Sequence, residues 1–85
     1  MSDDVIRTVN RGGYNKTAVL ALLDELNSVL LSAEDGGLSI TEKSMAVDSI
    51  LRKAEELPVV RFGGGFDKDD VNNYIRNVID KIYNK

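Results

Sequence analysis

No cysteine occurs in these 85 residues, which removes a disulfide framework, a thiolate metal site and a cysteine nucleophile together. Histidine is missing as well, and with it the usual general base and the commonest transition-metal ligand. One proline and seven glycines exclude a low-complexity linker, and no apolar run approaches the roughly 20 residues that span a bilayer. Met1-Ser2-Asp3-Asp4 is acidic where a signal peptide is basic, which argues against secretion and for the cytoplasm. Eleven basic residues against fourteen acidic ones give a net charge of −3. That balance repels nucleic-acid phosphates unless the positive charge gathers on one face. The 42% hydrophobic and 29% charged fractions belong to a globular chain, long enough for one domain over 1–85 and too short for two. A domain this small hides only about 60–65% of its unfolded surface, so its stability margin is thin. The expectation is a helical, non-enzymatic module with no catalytic residue, cofactor, metal or small-molecule substrate.

The glycines fall in three clusters, Gly12-Gly13, Gly36-Gly37 and Gly63-Gly64-Gly65, and divide the chain into three periodic segments. The first predicts a helix over 16–34. Val19, Leu23, Leu26, Leu30 and Ala33 alternate spacings of four and three, and Leu20, Leu22, Val29 and Leu31 widen the stripe toward a second neighbour. Asn15 is placed to cap its start and Gly36 to end it. The second predicts a helix over about 41–57, with Val47, Ile50, Ala54 and Leu57 as its stripe and Met45, Ala46 and Leu51 alongside. Ser39 with Glu42 reads as a capping box, Thr41 is a rival cap, and Pro58 sets the stop. The third predicts a helix over 68–83, capped by Asp67, with Asp69 and Asp70 in the first turn and Val71, Ile75, Val78 and Ile82 as its stripe. Two short β-prone stretches, 5–9 and 58–62, precede glycine clusters and could pair with each other as a ribbon. The fold expected is therefore all-α, a compact three-helix domain with at most a two-stranded β ribbon.

A shift of 52 residues lays Gly12-Gly13-Tyr14-Asn15-Lys16 on Gly64-Gly65-Phe66-Asp67-Lys68. The same shift carries Val19 onto Val71, Leu22 onto Tyr74, Leu23 onto Ile75, Leu26 onto Val78 and Leu30 onto Ile82. Ahead of the glycines, Val5-Ile6-Arg7 resembles Val59-Val60-Arg61, two residues out of phase. Two repeat units, about 5–34 and 59–83, are thus expected around a linking helix, with helices one and three on a common core. Gly13 and Gly65 would allow a backbone bend that a side chain obstructs, and Tyr14 and Phe66 sit where a hydrophobic staple packs onto the first helical turn.

In the second copy, Gly65-Phe66-Asp67-Lys68-Asp69-Asp70-Val71-Asn72-Asn73-Tyr74-Ile75 resembles the N-terminal motif of DivIVA-type bacterial proteins. That motif runs glycine, aromatic, Asp/Asn, two variable residues, acid, valine, Asp/Asn, one variable residue, aromatic, Leu/Ile. The first copy keeps Gly13, Tyr14, Asn15, Val19 and Leu23 but carries Ala18 for the acid, Leu20 for the Asp/Asn and Leu22 for the aromatic. The resemblance implies a cytoplasmic, DivIVA-like structural or adaptor module of Gram-positive type bacteria, peripheral at septal or polar membrane during cell division or envelope growth. Its implied partners are itself, other cell-division proteins and a membrane surface. It also implies lipid contact by an aromatic beside an arginine just ahead of the motif, for which Arg61 and Phe62 (in the opposite order) and Arg11 are the candidates. The family's long downstream coiled coil does not follow Tyr83, so extended filaments are not expected.

Other readings remain beside this one. Gly63-Gly64-Gly65 lacks the Gly-Lys-Ser/Thr ending of a phosphate loop, and the acids after it do not continue as a calcium loop. Arg7, Arg11 and Arg61 form a basic patch only if the two glycine turns lie side by side. The third stripe has coiled-coil spacing, which suits either a homodimer seam of Val71, Tyr74, Ile75, Val78 and Ile82 or an intrachain core. Thin core capacity favours the dimer. The alternative to the DivIVA-like role is a small soluble protein-binding or regulatory module with no membrane role.

Overall fold

The computed structural model describes residues 6–84. Val5, where the first β-prone stretch and the first repeat unit were expected to begin, lies outside them. Five elements follow in order: β1 (Thr8–Val9), α1 (Lys16–Glu34), α2 (Ile40–Glu55), β2 (Gly65–Phe66) and α3 (Lys68–Tyr83). The three helices and the small antiparallel sheet make the domain all-α, as expected from the periodicity.

Local chemistry sets the helix ends. The Asn15 carboxamide oxygen accepts from the Ala18 N–H at 3.0 Å, and the Asp67 carboxylate accepts from the Asp70 N–H at 3.0 Å. Ser39, not Thr41, caps α2. Its hydroxyl accepts from the Glu42 N–H, and the Glu42 carboxylate accepts from the Ser39 N–H, completing a capping box that starts the helix at Ile40. Helix α1 closes with Gly36 in the left-handed region (φ 73°), its N–H on the Ala33 carbonyl and the Gly37 N–H on the Ser32 carbonyl. This is a Schellman ending, which satisfies the last carbonyls of the helix. Helix α2 ends at Glu55, two residues short of the expected Leu57. Pro58 pushes the residue before it toward extended backbone, and the turn is already made by then.

Helix α1 packs on both α3 and α2. Val19, Leu22, Leu23, Leu26 and Ala33 of α1 meet Val47 and Ile50 of α2 and Val71, Ile75, Val78 and Ile82 of α3 in one core. The apolar stripe of α1 is narrower than its sequence suggests, since Leu20 and Leu31 are more than half exposed. The Cα envelope measures 41 × 29 × 15 Å, a slab so thin that each helix keeps one face in water.

The β-prone stretches do not pair with each other. Thr8 faces Phe66 and Val9 faces Gly65 in the β1–β2 ladder, while Val59 bridges Tyr14. The first stretch therefore pairs with the glycine–aromatic turn ahead of α3, and the second with the one ahead of α1. Between the two turns, the Tyr14 N–H donates to the Phe66 carbonyl at 2.8 Å and the Phe66 N–H to the Tyr14 carbonyl at 2.9 Å. Outside this pair, the Asp67 N–H reaches the Arg7 carbonyl and the Asn15 N–H the Pro58 carbonyl, each at 2.8 Å. Val9 and Val60 occupy matching places, opposite Gly65 and Gly13, because the Val60 N–H donates to the Gly13 carbonyl at 2.8 Å. This register corrects the match drawn from sequence ahead of the glycines: Arg7 corresponds to Pro58 rather than to Arg61. Four residues separate Val60 from Gly65 where three separate Val9 from Gly13, and the longer glycine cluster takes up the difference.

Gly13 and Gly65 are needed for space rather than for a bend. A Cβ on Gly13 would lie 2.6 Å from the Phe66 carbonyl oxygen, and one on Gly65 would lie 2.6 Å from Val60 Cγ2 and 3.0 Å from the Tyr14 oxygen. The positive φ values fall instead at Gly12 and Gly63. Gly13→Ala and Gly65→Ala should each lower the unfolding free energy by about 1–3 kcal/mol, the usual cost of overpacking against atoms that cannot yield. Gly64→Ala, which meets only the flexible Lys16 ammonium and a Thr8 methyl, should stay within about 0.5 kcal/mol of the wild type in urea unfolding followed by circular dichroism.

Candidate functional site

The crossed turns put the two β-prone segments and their bends at one end of the domain. The Gly12 N–H donates to the Val60 carbonyl at 2.9 Å, so the Arg11–Gly12 and Val60–Arg61 peptide units are bonded directly to each other. Arg11, Arg61 and Phe62 are consequently neighbours on adjoining bends. All three are exposed, and Phe62 is 84% accessible, the most open large hydrophobic side chain among the described residues. No described residue pairs with either guanidinium. The turns do lie side by side, as the basic-patch reading required, but Arg7 does not join the patch.

Arg7 is committed elsewhere. Its Nε donates to Asp70 Oδ2 at 2.8 Å, its Nη2 to Oδ1 at 3.2 Å, and its backbone N–H also reaches Oδ2 at 3.0 Å. The guanidinium hydrogen bond, followed by the backbone one, holds the Asp70 carboxyl below the ordinary aspartate value. The Glu42 carboxyl is lowered in the same way by the Ser39 N–H and hydroxyl.

The remaining motif residues build the crossover. Tyr14 and Phe66 are half-buried, and each ring lies under the lysine of the opposite unit: the Lys16 ammonium sits 5.5 Å from the Phe66 centroid, the Lys68 ammonium 5.7 Å from that of Tyr14. Each such contact contributes about 0.5–1 kcal/mol at an exposed site. Asn15 and Asp67 cap with nearly equal backbone angles, φ −55° and −56° with ψ 126° and 128°.

The seam assigned to self-association is spent inside the chain. Val71 and Ile82 are fully buried, Ile75 and Val78 are 3% exposed, and all four pack in the common core. Tyr74 is half-buried, and its hydroxyl accepts from the Asn27 carboxamide at 3.3 Å. Of the two uses that the spacing left open, the structure takes the intrachain core. Two features escaped the sequence. One is the Arg7–Asp70 pair, whose partners stand 63 positions apart. The other is an open groove of about 310 Å³ between α1 and the end of α2. Among the described residues no carboxylate cluster could hold a metal ion, and no helix is long and apolar enough to cross a membrane.

Two outcomes follow from this geometry. Ile75→Asp and Val78→Asp put a charge into the core at a cost above about 3 kcal/mol, against a total of about 4–13 kcal/mol for a domain of this size. Both variants should lose most of their helical circular dichroism or melt far below the wild type, rather than convert a dimer to a folded monomer. For the ion pair, a lowered folded-state pKa means stability that is present above the ordinary aspartate value of about 3.9 and lost as pH falls through the lowered one. Asp70→Asn should therefore be less stable than wild type at neutral pH and converge with it in acid, read from urea midpoints across the acidic range. Comparison with known proteins finds no family model, no curated protein and no solved structure that matches this chain.

Proposed function

We propose that this chain is a non-enzymatic, DivIVA-like structural or adaptor module of bacterial cell division or envelope growth, which acts by self-association and by contact with anionic membrane. The observation that carries the reading is the exposed tip made of Arg11, Arg61 and Phe62, held out on a crossover whose residues are those of the motif. A largely exposed aromatic ring beside two guanidinium groups with no charge partner among the described residues matches the chemistry of a lipid headgroup layer, with phosphates outside and acyl chains beneath. The motif supports the same reading from the other side. Gly65, Phe66, Asp67 and Asp70 each bond to the crossed segments, while Val71, Tyr74 and Ile75 seat α3 on the rest of the domain.

Magnitudes keep the reading modest. Each arginine near an anionic surface contributes about 1 kcal/mol. A partly inserted phenylalanine adds about 1–2 kcal/mol. Their total lies near the 4 kcal/mol that corresponds to millimolar affinity. The rest of the chain, with its net charge of −3, is repelled by the same surface. Binding should therefore be weak, tip-directed and strongly salt-dependent.

Co-sedimentation with concentrated anionic vesicles at low salt should pellet the wild-type protein, and zwitterionic vesicles should not. Phe62→Ala should reduce pelleting by about tenfold, and Arg11→Glu with Arg61→Glu should abolish it while the fold persists by circular dichroism. A tagged copy in dividing bacterial cells should form septal or polar foci. Diffuse fluorescence throughout the division cycle, with no vesicle binding, would overturn the reading in favour of a purely protein-directed module.

A further inference from the structure

We infer that two copies of this chain pair by seating Phe62 of each in the other's groove between α1 and the end of α2. This rests on reading the tip as an interaction surface, and it specifies how self-association occurs. The groove lies where α2 stops at Glu55 and the chain turns at Glu56, so that Leu57 and Pro58 line it together with the small side chains Ala18 and Ala21 of α1. At about 310 Å³ it stands at the low end of ligand pockets and suits one large apolar side chain.

Its electrostatics select the flanks of that side chain. Both oxygens of Glu25 hold the Lys53 ammonium, at 2.7 and 2.8 Å, so this pair is neutral. Glu56, on the rim, has no charge partner among the described residues. The groove therefore favours an apolar group carried beside a cation. The molecule presents that combination on its own surface: Phe62 follows Arg61 directly, and Arg11 stands on the adjoining bend.

Phe62 cannot fill the groove of its own chain. Val60 lies between Pro58 and Phe62 and is pinned at both its N–H and its carbonyl, to Gly13 and Gly12. The segment is thereby held against the opposite turn and cannot fold back. A second copy meets no such restraint. Because groove and tip border one segment, 58–62, two such segments laid antiparallel about Val60 deliver each Phe62 to the other's groove. The contact is reciprocal, so it closes as a twofold pair instead of an open chain. Two aromatic anchors and their flanks fall short of the roughly 1,200 Å² of a standard interface, so the pair forms only at high concentration. The pair also covers Phe62, which makes pairing and vesicle contact alternatives for one side chain.

Sedimentation equilibrium from about 10 µM to 1 mM should show the wild-type mass rising from monomer toward dimer. Phe62→Ala and Glu56→Arg should each weaken pairing by about tenfold or more. A cation at Glu56 suits the C-terminal end of α2, so this variant keeps its fold, which circular dichroism checks. Arg61→Glu combined with Glu56→Arg should recover pairing. A wild type that stays monomeric at the highest concentration would overturn the inference. So would a Glu56→Arg variant that pairs like wild type while Phe62→Ala does not, since that places the contact tip to tip. Glu56→Arg should still pellet with anionic vesicles, so loss of vesicle binding with pairing intact would strike the membrane reading alone.

Discussion

The Tyr14–Phe66 backbone pair is the constraint on which the rest of this domain depends. Two reciprocal hydrogen bonds join residues that immediately precede the caps of α1 and α3, so the two helices start from one fixed point. With their origins joined, the buried stripes of α1 and α3 meet in one core, and α2 packs against both. The same pair forces the glycines. Backbones this close leave no room for a Cβ at Gly13 or Gly65, and the outer hydrogen bonds of Asn15 and Asp67 then capture the segments 58–60 and 7–9. Sheet, caps, cation–aromatic contacts and the exposed tip all follow from one close approach.

Much of this was legible because it is local. The spans of α1 and α3, Asn15 and Asp67 as caps, the Ser39–Glu42 box and the core faces of α1 and α3 each depend on residues within one or two turns of each other. The strand partners were not legible. A run such as Val59-Val60 declares that it is extended but not which edge it joins, and the two runs exchange partners across about fifty residues. The extra glycine at 63–65 also shifted the match between the units by one residue and concealed the equivalence of Arg7 with Pro58. The spacing of Val71, Ile75, Val78 and Ile82 suits an internal core and an external seam alike, and only the position of α1 decides between them.

The exposed tip has a physical cost that the crossover explains. An open phenylalanine beside two arginines with no charge partner among the described residues contributes little to folding, and a chain of 85 residues has little stability in reserve. It persists because it interrupts nothing: the bends at 10–12 and 61–63 lie outside every hydrogen-bonded pair of the crossover except Gly12 with Val60. Substitutions at Arg11, Arg61 or Phe62 are therefore separable from the fold, in contrast to changes at Gly13, Gly65 or the buried face of α3. Surface chemistry at this end can vary while the scaffold stays constant.

The two outer segments are held by different means, and the difference bears on how the tip behaves. Arg7, on the β1 side, is fixed by its ion pair with Asp70. The equivalent site on the other side carries Pro58, and Ala18 stands where α3 has Asp70, so no ion pair forms there. Proline limits the extended segment before folding begins and lowers the entropy lost on docking, whereas an exposed ion pair is screened by salt and removed by acid. One side is thus secured by stiffness and the other by charge. The tip residues Arg61 and Phe62 lie on the stiff side. Salt or acid that loosens the β1 side leaves segment 58–62 bound to Gly12, Gly13 and Asn15 by backbone hydrogen bonds alone, which neither condition titrates. Under the proposed pairing and membrane contact, the ionic part would weaken as salt rises while the presentation of Phe62 would not.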